Sequence, residues 1–171
     1  MRGLTRRVAI ATIFGALIFV TKAFVPSPVN KMIVVFQALL LALGSLLLEK
    51  MGATYVALIG GFLTALWNFA LAPFTLIFAL LFGMLIDGSF LLLRVSTVEG
   101  RVNPSRLVVA LTLSTALVGA SSYYTTVHLM DLIPRNPVME MVILIVGTIS
   151  GAVAGYITSL VWNRHLRNAQ F

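Results

Sequence analysis

Charged residues are scarce in this chain, since Asp, Glu, Lys and Arg make up only 10% of its 171 residues. A soluble domain carries about 25% of them, and a chain with so few cannot cover a water-facing surface around its own core. An ordinary soluble enzyme, a disordered tail and a secreted disulfide scaffold are therefore excluded. Cysteine is absent altogether, which excludes thiolate-based zinc sites and thiol nucleophiles.

Acidic residues are especially few: five Asp and Glu against 12 Lys and Arg leave a net charge of +7. Such an excess can indicate nucleic-acid binding, but these basic residues are scattered among long apolar runs. Hydrophobic residues make up 60% of the sequence, and mean hydropathy is +1.04. In a membrane protein, an excess of Lys and Arg mainly records orientation. We therefore predict an integral membrane protein that folds as one domain over residues 1–171 and has no nucleic-acid partner.

Six segments are apolar enough to cross a bilayer, whose hydrocarbon core requires about 20 apolar residues per helix. Prolines mark the breaks, with Pro26 and Pro28 after the first segment and Pro73 after the third. A proline can also kink a continuous helix, but one span over residues 54–93 would be far too long. We expect an all-α membrane protein, a compact bundle of six transmembrane helices. The predicted spans are Val8–Val25, Met32–Leu48, Thr54–Leu71, Phe74–Leu93, Leu107–Thr126 and Val138–Trp162.

The basic residues predict the orientation of this bundle, because cytoplasmic loops are enriched in Lys and Arg. With an even number of spans, both termini lie on one side of the membrane. That side carries Arg2, Arg6, Arg7, Lys50, Arg94, Arg101, Arg106, Arg164 and Arg167, whereas the other carries Lys22, Lys31 and Arg135. We therefore expect a multi-pass protein of the cell membrane with cytoplasmic N- and C-termini.

The N-terminal segment also has features of a signal peptide, since Arg2, Arg6 and Arg7 precede an apolar run. No small-x-small cleavage site follows this run cleanly. We therefore expect the segment to be retained as the first helix.

Small residues spaced four apart allow helices to pack closely in lipid, and three predicted helices carry such rows. The rows of the third and sixth helices are expected to pack within the bundle. For the first helix, packing within the bundle and docking of a partner subunit are both open. The rows are Ala53, Ala57, Gly61 and Ala65 in the third helix, Gly147, Gly151 and Gly155 in the sixth, and Ala11 with Gly15 and Thr12 with Ala16 in the first.

Polar and aromatic residues concentrate near the outer ends of the predicted helices, and the inner half is comparatively plain. Single Tyr and Trp residues there usually belong to the aromatic belt, but the polar run over residues 121–128 exceeds what a belt requires. We predict a ligand pocket open to the outside, in which rings stack and a few polar groups orient the ligand. The candidate substrate-binding residues are Asn30, Lys31, Gln37, Trp67, Asn68, Tyr123, Tyr124, His128 and Glu140.

Asp87 is the exception in the inner half, roughly 20 Å from the outer end of the fourth helix at about 1.5 Å per residue. We expect a structural ion pair with an arginine such as Arg94 or Arg106, and contact with another subunit is the alternative. A proton relay would require a second carboxylate at membrane depth. The sequence has none there, which argues against a proton-driven pump.

Motifs that carry catalysis are missing from the chain. Neither a GxxxxGK[ST] phosphate loop nor an HExxH zinc motif occurs. The two histidines, His128 and His165, fall on opposite sides of the predicted membrane, and Ser150 lies at mid-helix, away from both. We expect no enzymatic activity, no cofactor and no metal site.

Two apolar motifs and the topology together point to a known family. The first helix contains Ala-Ile-Ala-Thr-Ile-Phe-Gly-Ala-Leu over residues 9–17, and Leu43-Gly44 and Gly52-Ala53 flank the junction of the second and third helices. With six short helices and both termini inside, the chain resembles, over most of its length, the substrate-binding S components of energy-coupling factor (ECF) transporters. These transporters take up vitamins in bacteria and archaea.

The resemblance implies partners and a site. In this family, an Ala-x-x-x-Ala face on the first helix docks the transmembrane T component, and two ATPase subunits on that component drive the toppling of the S component. The matching positions here are Ala11, Thr12, Gly15 and Ala16. The family also places its substrate site near the outer face, capped by the loop between the first two helices, here Pro26–Lys31, and completed by helices four to six.

We therefore predict the substrate-capture subunit of an ECF-type vitamin importer in the lipid bilayer. A small aromatic heterocycle, such as thiamine, its pyrimidine precursor or another B vitamin, could stack on Trp67, Tyr123 and Tyr124, with Glu140 or Asp131 binding a ring amine or cation. Two alternatives stay open: a self-sufficient small-molecule transporter or channel, and a membrane assembly subunit without a ligand.

Overall fold

A computed structural model of the protein describes residues 2–24, 33–48, 51–95, 97–98, 101–129 and 134–166. Six α-helices form most of this part, and the predicted succession of six helices is confirmed. They are α1 (Arg2–Phe24), α2 (Ile33–Leu48), α3 (Gly52–Trp67), α4 (Ala72–Leu92), α5 (Pro104–Tyr124) and α6 (Pro137–Val161). Single wide turns, Thr125–Leu129 and Trp162–Leu166, extend α5 and α6, and two short strands, β1 (Thr97–Val98) and β2 (Arg101–Val102), pair in antiparallel fashion.

Four of the helices are long and apolar enough to cross a membrane, namely α1, α4, α5 and α6 with their extensions. The other two, α2 and α3, are also apolar but have 16 residues each. At 1.5 Å per residue, that gives about 24 Å, less than the roughly 30 Å of a hydrocarbon core. The chain is therefore a helical bundle of membrane-protein character with four full-length candidate spans in its described part.

The break between α3 and α4 falls where the prolines predict it. The α3 helix ends at Asn68, whose N–H donates to the carbonyl of Thr64 at 3.0 Å, and one 3₁₀ turn over Phe69–Leu71 follows. Pro73 then lies in the first turn of α4, where its missing N–H costs no helical hydrogen bond. Two helices rather than one kinked helix are therefore confirmed.

Small residues bring α3 against α4 and α5 against α6 at close range. A Cβ added at Gly83 of α4 would lie 2.7 Å from the Cβ of Ala57, and one added at Gly61 would lie 2.5 Å from that of Ala79. On α6, a Cβ added at Gly155 would lie 2.6 Å from the Cα of Val108. The predicted packing of these two rows within the bundle is confirmed.

The first helix also uses a small-residue row inside the molecule. A Cβ at Gly15 would lie 2.7 Å from Cγ2 of Ile59 in α3, and Ala11 in the same row is buried at 4% exposure. Of the two alternatives for this row, the structure shows packing within the bundle, since Gly15 lies against α3 and Ala11 is buried; docking of a partner subunit at these positions stays a prediction. Thr12 is exposed and Ala16 is partly exposed, so these two remain accessible.

Asp87 is buried, and its carboxylate caps the N-terminus of α3. One oxygen, Oδ1, accepts from the Ser45 hydroxyl at 2.7 Å and from the Ala53 N–H at 3.1 Å. The other, Oδ2, accepts from the N–H and the hydroxyl of Thr54 at 2.8 and 2.7 Å. The predicted ion pair with Arg94 or Arg106 is therefore a misassignment. The reason is that α3 lacks a side-chain cap of its own at Met51, so its free N–H groups recruit the carboxylate.

Four arginines, Arg94, Arg101, Arg106 and Arg164, gather at one end of the bundle, which we call the arginine-rich end. Arg106 donates to the carbonyl of Arg94 at 3.4 Å. The side chain of Asn163 accepts from the Val102 N–H at 2.9 Å and donates to its carbonyl at 3.0 Å, which joins the end of α6 to the β1–β2 hairpin.

The half of the bundle near this end contains more buried polar side chains than predicted. The hydroxyl of Ser114 lies 2.9 Å from that of Ser89 and donates to the carbonyl of Leu85 at 3.0 Å. Ser45 and Thr158 are also buried in this half. The Ser45 hydroxyl donates to Asp87, whereas that of Thr158 has no partner in the described chain. Isolated hydroxyls of this kind change the hydropathy of an apolar segment little, so the sequence gave no sign of them.

Candidate functional site

A cavity of about 480 Å³ lies between α1, α2, α4, α5 and α6, in the half of the bundle away from the arginine-rich end. We call it the central cavity. Its volume falls in the range of about 300–1,000 Å³ that is typical of small-molecule sites. The apolar and glycine part of its lining is Val34, Phe78, Ala79, Phe82, Val118, Gly119, Met139, Val142, Ile143, Val146 and Gly147.

The spacing between α5 and α6 explains why the space opens there. A Cβ added at Gly151 would lie 2.6 Å from the Cα of Thr112, so the two backbones touch near the middle of the bundle. Farther along, the corresponding distance at Gly147 is 3.4 Å to the Cα of Ala116, and at Gly119 the nearest atom is 3.6 Å away on Ile143. The two helices therefore separate progressively, and the central cavity occupies the gap.

Among the described residues, seven polar side chains line the central cavity, and three of them donate hydrogen bonds to backbone carbonyls. Thr115 donates to the carbonyl of Leu111 at 2.6 Å, and Thr126 donates to that of Ser122 at 2.8 Å. The hydroxyl of Tyr123 donates to the carbonyl of Asn136 at 3.0 Å. The two threonines bond within their own helical turns, and only Tyr123 joins the end of α5 to the start of α6. The hydroxyl protons of all three are therefore already donated.

The other four polar side chains of the lining have no such partner. Gln37 and Ser150 are each only 7% exposed, yet neither side chain hydrogen-bonds to another residue in the described ranges. The same holds for Ser122 and for Lys22, which lies in the last turn of α1. In the described chain, the fully buried side-chain atoms without a partner are the hydroxyls of Thr112 and Thr158, and none belongs to these four residues. Gln37 and Ser150 are buried residues, whereas Lys22 and Ser122 are partly buried. The central cavity therefore offers four polar groups that a ligand or water can bond.

A second cavity of about 450 Å³ lies at the junction of α5 and α6, nearer the surface, and shares Tyr123 and Ile143 with the first. The rings of Tyr124 and His128 stand 4.4 Å apart there, and both side chains are exposed. Its remaining lining is Ala120, Ser121, Thr125, Arg135, Glu140 and Leu144. Most residues of this lining are exposed.

The structure divides the predicted substrate-binding residues among four places. Gln37 and Tyr123 line the central cavity, and Tyr123, Tyr124, His128 and Glu140 line the second one. Asn30 and Lys31, with the rest of the loop Pro26–Lys31, and Asp131 lie outside the described residues. Trp67 and Asn68 line neither cavity.

The predicted stacking role of Trp67 stays a prediction, since its ring lies outside both cavities. Its ring packs against Phe19 in an edge arrangement at 6.2 Å and against Phe24 at 5.9 Å, and the residue is 63% exposed. Asn68 is exposed and ends α3. This surface aromatic cluster at a helix end is typical of the membrane–water interface, because an indole ring is apolar with one polar N–H.

Sequence reasoning missed three of the four polar residues of the central cavity that lack a partner in the described chain. Lys22 entered only as a count in the charge balance, although a lysine within a predicted span is a functional signal by itself. Ser150 was considered only as a nucleophile, and Ser122 only as part of a polar run. The depth of each residue along its helix was predictable from the sequence. The sequence did not predict which side of each helix faces the gap between α5 and α6.

The chemistry available in the central cavity is recognition: one ammonium, one amide and two hydroxyls around an apolar surface. Among the described residues, no three His, Cys, Asp or Glu side chains come close enough to hold a metal ion. Comparison with known proteins gives no match, either to a protein family, to a curated protein or to a solved structure.

Proposed function

We propose that this protein is the substrate-capture (S) subunit of an ECF-type, ATP-driven importer. In this role it binds a small vitamin or vitamin precursor from outside and delivers it through a separate T component and two ATPase subunits. The observation that carries the proposal is the central cavity, which five helices surround and in which four polar side chains lack a partner within the described chain.

The position of the cavity along the bundle supports capture from outside. The arginine-rich end is the cytoplasmic end under the positive-inside rule, and the central cavity lies in the other half. In this proposal all six helices cross the bilayer, and both termini are cytoplasmic. The short α2 and α3 are accommodated by local thinning of the bilayer, which costs only fractions of a kcal/mol per Å of mismatch.

The accessible face of α1 supports docking of the T component. Thr12 and Ala16 share this face with Ile13 and Leu17, which are 58% and 41% exposed. Two small residues four apart on an otherwise apolar exposed face permit close approach of another helix. Docking therefore uses the Thr12–Ala16 row, while the row of Ala11 and Gly15 holds α1 on α3.

A thermal-shift measurement on the purified full-length chain in detergent tests ligand binding. We expect at least one B vitamin or precursor to raise the melting temperature. Replacing Ser122, which lines the central cavity, with Ala should weaken that vitamin's binding about 5- to 10-fold, corresponding to roughly 1–1.5 kcal/mol for a lost hydrogen bond. Ser121→Ala, one residue away and outside this cavity, is the matched control and should leave binding unchanged.

Uptake assays separate the proposal from its alternatives. With the T component and ATPases present, Thr12→Trp should stop uptake and leave the thermal shift intact, because it blocks docking and not binding. Ile149→Trp on the exposed face of α6 is the control with equal bulk. Uptake into liposomes by the chain alone would instead identify a self-sufficient transporter. A chain that no vitamin stabilises would point to an assembly subunit.

A further inference from the structure

Among the described residues, Lys22 is the only charged one that lines the central cavity. It lies in the last turn of α1, is partly buried, and forms no ion pair or hydrogen bond with another described residue. The chain has five carboxylates in all. Asp87 is committed to the N-terminus of α3, Glu140 lines the second cavity, and the other three lie outside the described residues. The described cavity wall therefore carries one positive charge and no negative one.

A lysine at membrane depth is expensive unless a counter-ion or water compensates it. Lysines near helix ends often extend toward the interface to reach water, but the neighbouring amide cannot do so. Gln37 is 7% exposed, lines the same cavity and also lacks a partner in the described chain. An ammonium with an amide beside one apolar space matches a ligand that brings its own negative charge and acceptor oxygens.

We propose that the central cavity binds a monocarboxylate with an apolar or aromatic body, whose carboxylate pairs with the ammonium of Lys22. Gln37 donates a second hydrogen bond, and the body of the ligand packs against Phe78, Phe82 and Val142. This inference rests on the proposed function and narrows its substrate class. It differs from the expectation that Glu140 or Asp131 binds a ring amine or cation, since Glu140 lines a different cavity and Asp131 lies outside the described residues.

Matched acid and amide pairs test the charge requirement directly. The probes are nicotinate with nicotinamide, biotin with biotinamide, and lipoate with lipoamide, together with thiamine, riboflavin and dodecanoate. The readout is the melting temperature of the purified full-length chain and, for active probes, the dissociation constant by calorimetry. We expect one acid to stabilise the protein and its amide partner to bind roughly 10- to 100-fold more weakly, as for the loss of a charge-assisted hydrogen bond.

Substitutions of Lys22 test the residue itself. Lys22→Met should bind the acid and its amide equally weakly, whereas Lys22→Arg should keep most of the discrimination. Arg135→Gln, which removes the basic residue of the second cavity, is the matched control and should change nothing. Without ligand, Lys22→Met should melt at the same or a higher temperature, because replacing an unpaired buried charge by an apolar side chain is not destabilising.

The possible results distinguish the carboxylate inference, the role of Lys22 and the importer proposal. Stabilisation only by thiamine or riboflavin overturns the inference about charge and leaves the importer proposal intact. Stabilisation only by dodecanoate, lost in Lys22→Met, supports the carboxylate site and overturns the vitamin importer. Discrimination that survives Lys22→Met, or a marked fall in the ligand-free melting temperature of that variant, overturns the role of Lys22. The absence of any shift overturns both proposals.

Discussion

Two ionisable side chains inside the bundle have opposite surroundings, and the contrast separates a structural residue from a binding one. Asp87 receives four hydrogen bonds from Ser45, Ala53 and Thr54. Lys22 donates none to the described residues. Charged groups in a low-dielectric interior are retained either because the fold satisfies them or because a ligand does. Asp87 belongs to the first kind, and we assign Lys22 to the second.

The role of Asp87 as a helix cap predicts a specific loss of stability. Asp87→Asn keeps one acceptor oxygen but replaces the other by a donor, which would face the N–H and hydroxyl of Thr54. We expect a loss of about 1–3 kcal/mol, the cost of leaving buried groups unsatisfied, and a larger loss for Asp87→Ala. Intrinsic tryptophan fluorescence during thermal unfolding in detergent measures it. Thr54→Val, which removes only the hydroxyl, should cost less.

Equal melting of Asp87→Asn and the native chain would show that the carboxylate charge contributes nothing at the N-terminus of α3. Normal melting combined with loss of uptake would instead give Asp87 a functional role in coupling. The cap interpretation requires a lower melting temperature in proportion to the bonds removed.

At the scale of elements, the spacing of the glycines in α6 determines how closely α6 packs on α5. It also determines the shape of the central cavity. Gly151 and Gly155 let α6 touch α5, while larger side chains such as Ile143 hold the same helices apart farther along. A close contact at one end and a gap at the other follow from one row of residues. The cavity is therefore a consequence of where the glycine row stops.

Adding one methyl group to this seam predicts a measurable destabilisation. In Gly151→Ala the new Cβ would lie 2.6 Å from the Cα of Thr112 and 2.7 Å from the carbonyl oxygen of Leu111. Backbone atoms cannot yield as a flexible side chain does, so we expect a loss of about 1–3 kcal/mol. Gly88→Ala in α4 is the control, because no atom lies within 4 Å of its new methyl group. It should melt unchanged or slightly higher, since alanine favours the helix.

A Gly151→Ala chain as stable as the native one would mean that α5 and α6 can slide apart at no cost. The close contact at Gly151 would then not determine the width of the central cavity. The variant should in that case also bind its ligand with unchanged affinity.

The sequence specifies the elements well because each depends on local chemistry. Apolar run lengths, Pro73 and the glycine rows predict six helices, the α3–α4 break and two of the packed pairs. Even so, the two rows predicted on the first helix differ in burial, because Ala11 is buried and Thr12 is exposed and only tertiary packing decides which face is covered. A local pattern of small residues predicts that a helix face packs closely. It does not predict which helix or subunit packs against that face.

At the scale of the whole molecule, the sequence predicted only the depth of the site in the membrane and not which residues form it. The polar run near residues 121–128 lies where the sequence indicates it, but its members divide between two cavities on either side of Tyr123. Trp67 lies at the same predicted depth and points elsewhere. Residues far apart in sequence, such as Lys22, Gln37 and Ser150, meet in one cavity only after five helices have packed. No spacing rule along the chain contains that information.

The absence of cysteine makes the membrane topology directly testable. Single cysteines at Met51, Asn68, Ser105 and Pro134, all exposed positions in turns or at helix ends, should react one by one without background. We expect a membrane-impermeant maleimide to label Asn68→Cys and Pro134→Cys in intact cells. Met51→Cys and Ser105→Cys should react only after permeabilisation, because six crossings place both at the cytoplasmic, arginine-rich end.

Met51→Cys is the decisive variant, because it reports on the two short helices. If α2 and α3 do not cross the bilayer, position 51 stays on the outer side and reacts in intact cells, while Ser105→Cys remains protected. That outcome would leave four crossings and an inward-folded hairpin, and Asp87 would then cap a helix that never reaches the cytoplasm. Protection of Met51→Cys would show that two helices of about 24 Å each cross a bilayer core of roughly 30 Å, with the membrane thinned beside them.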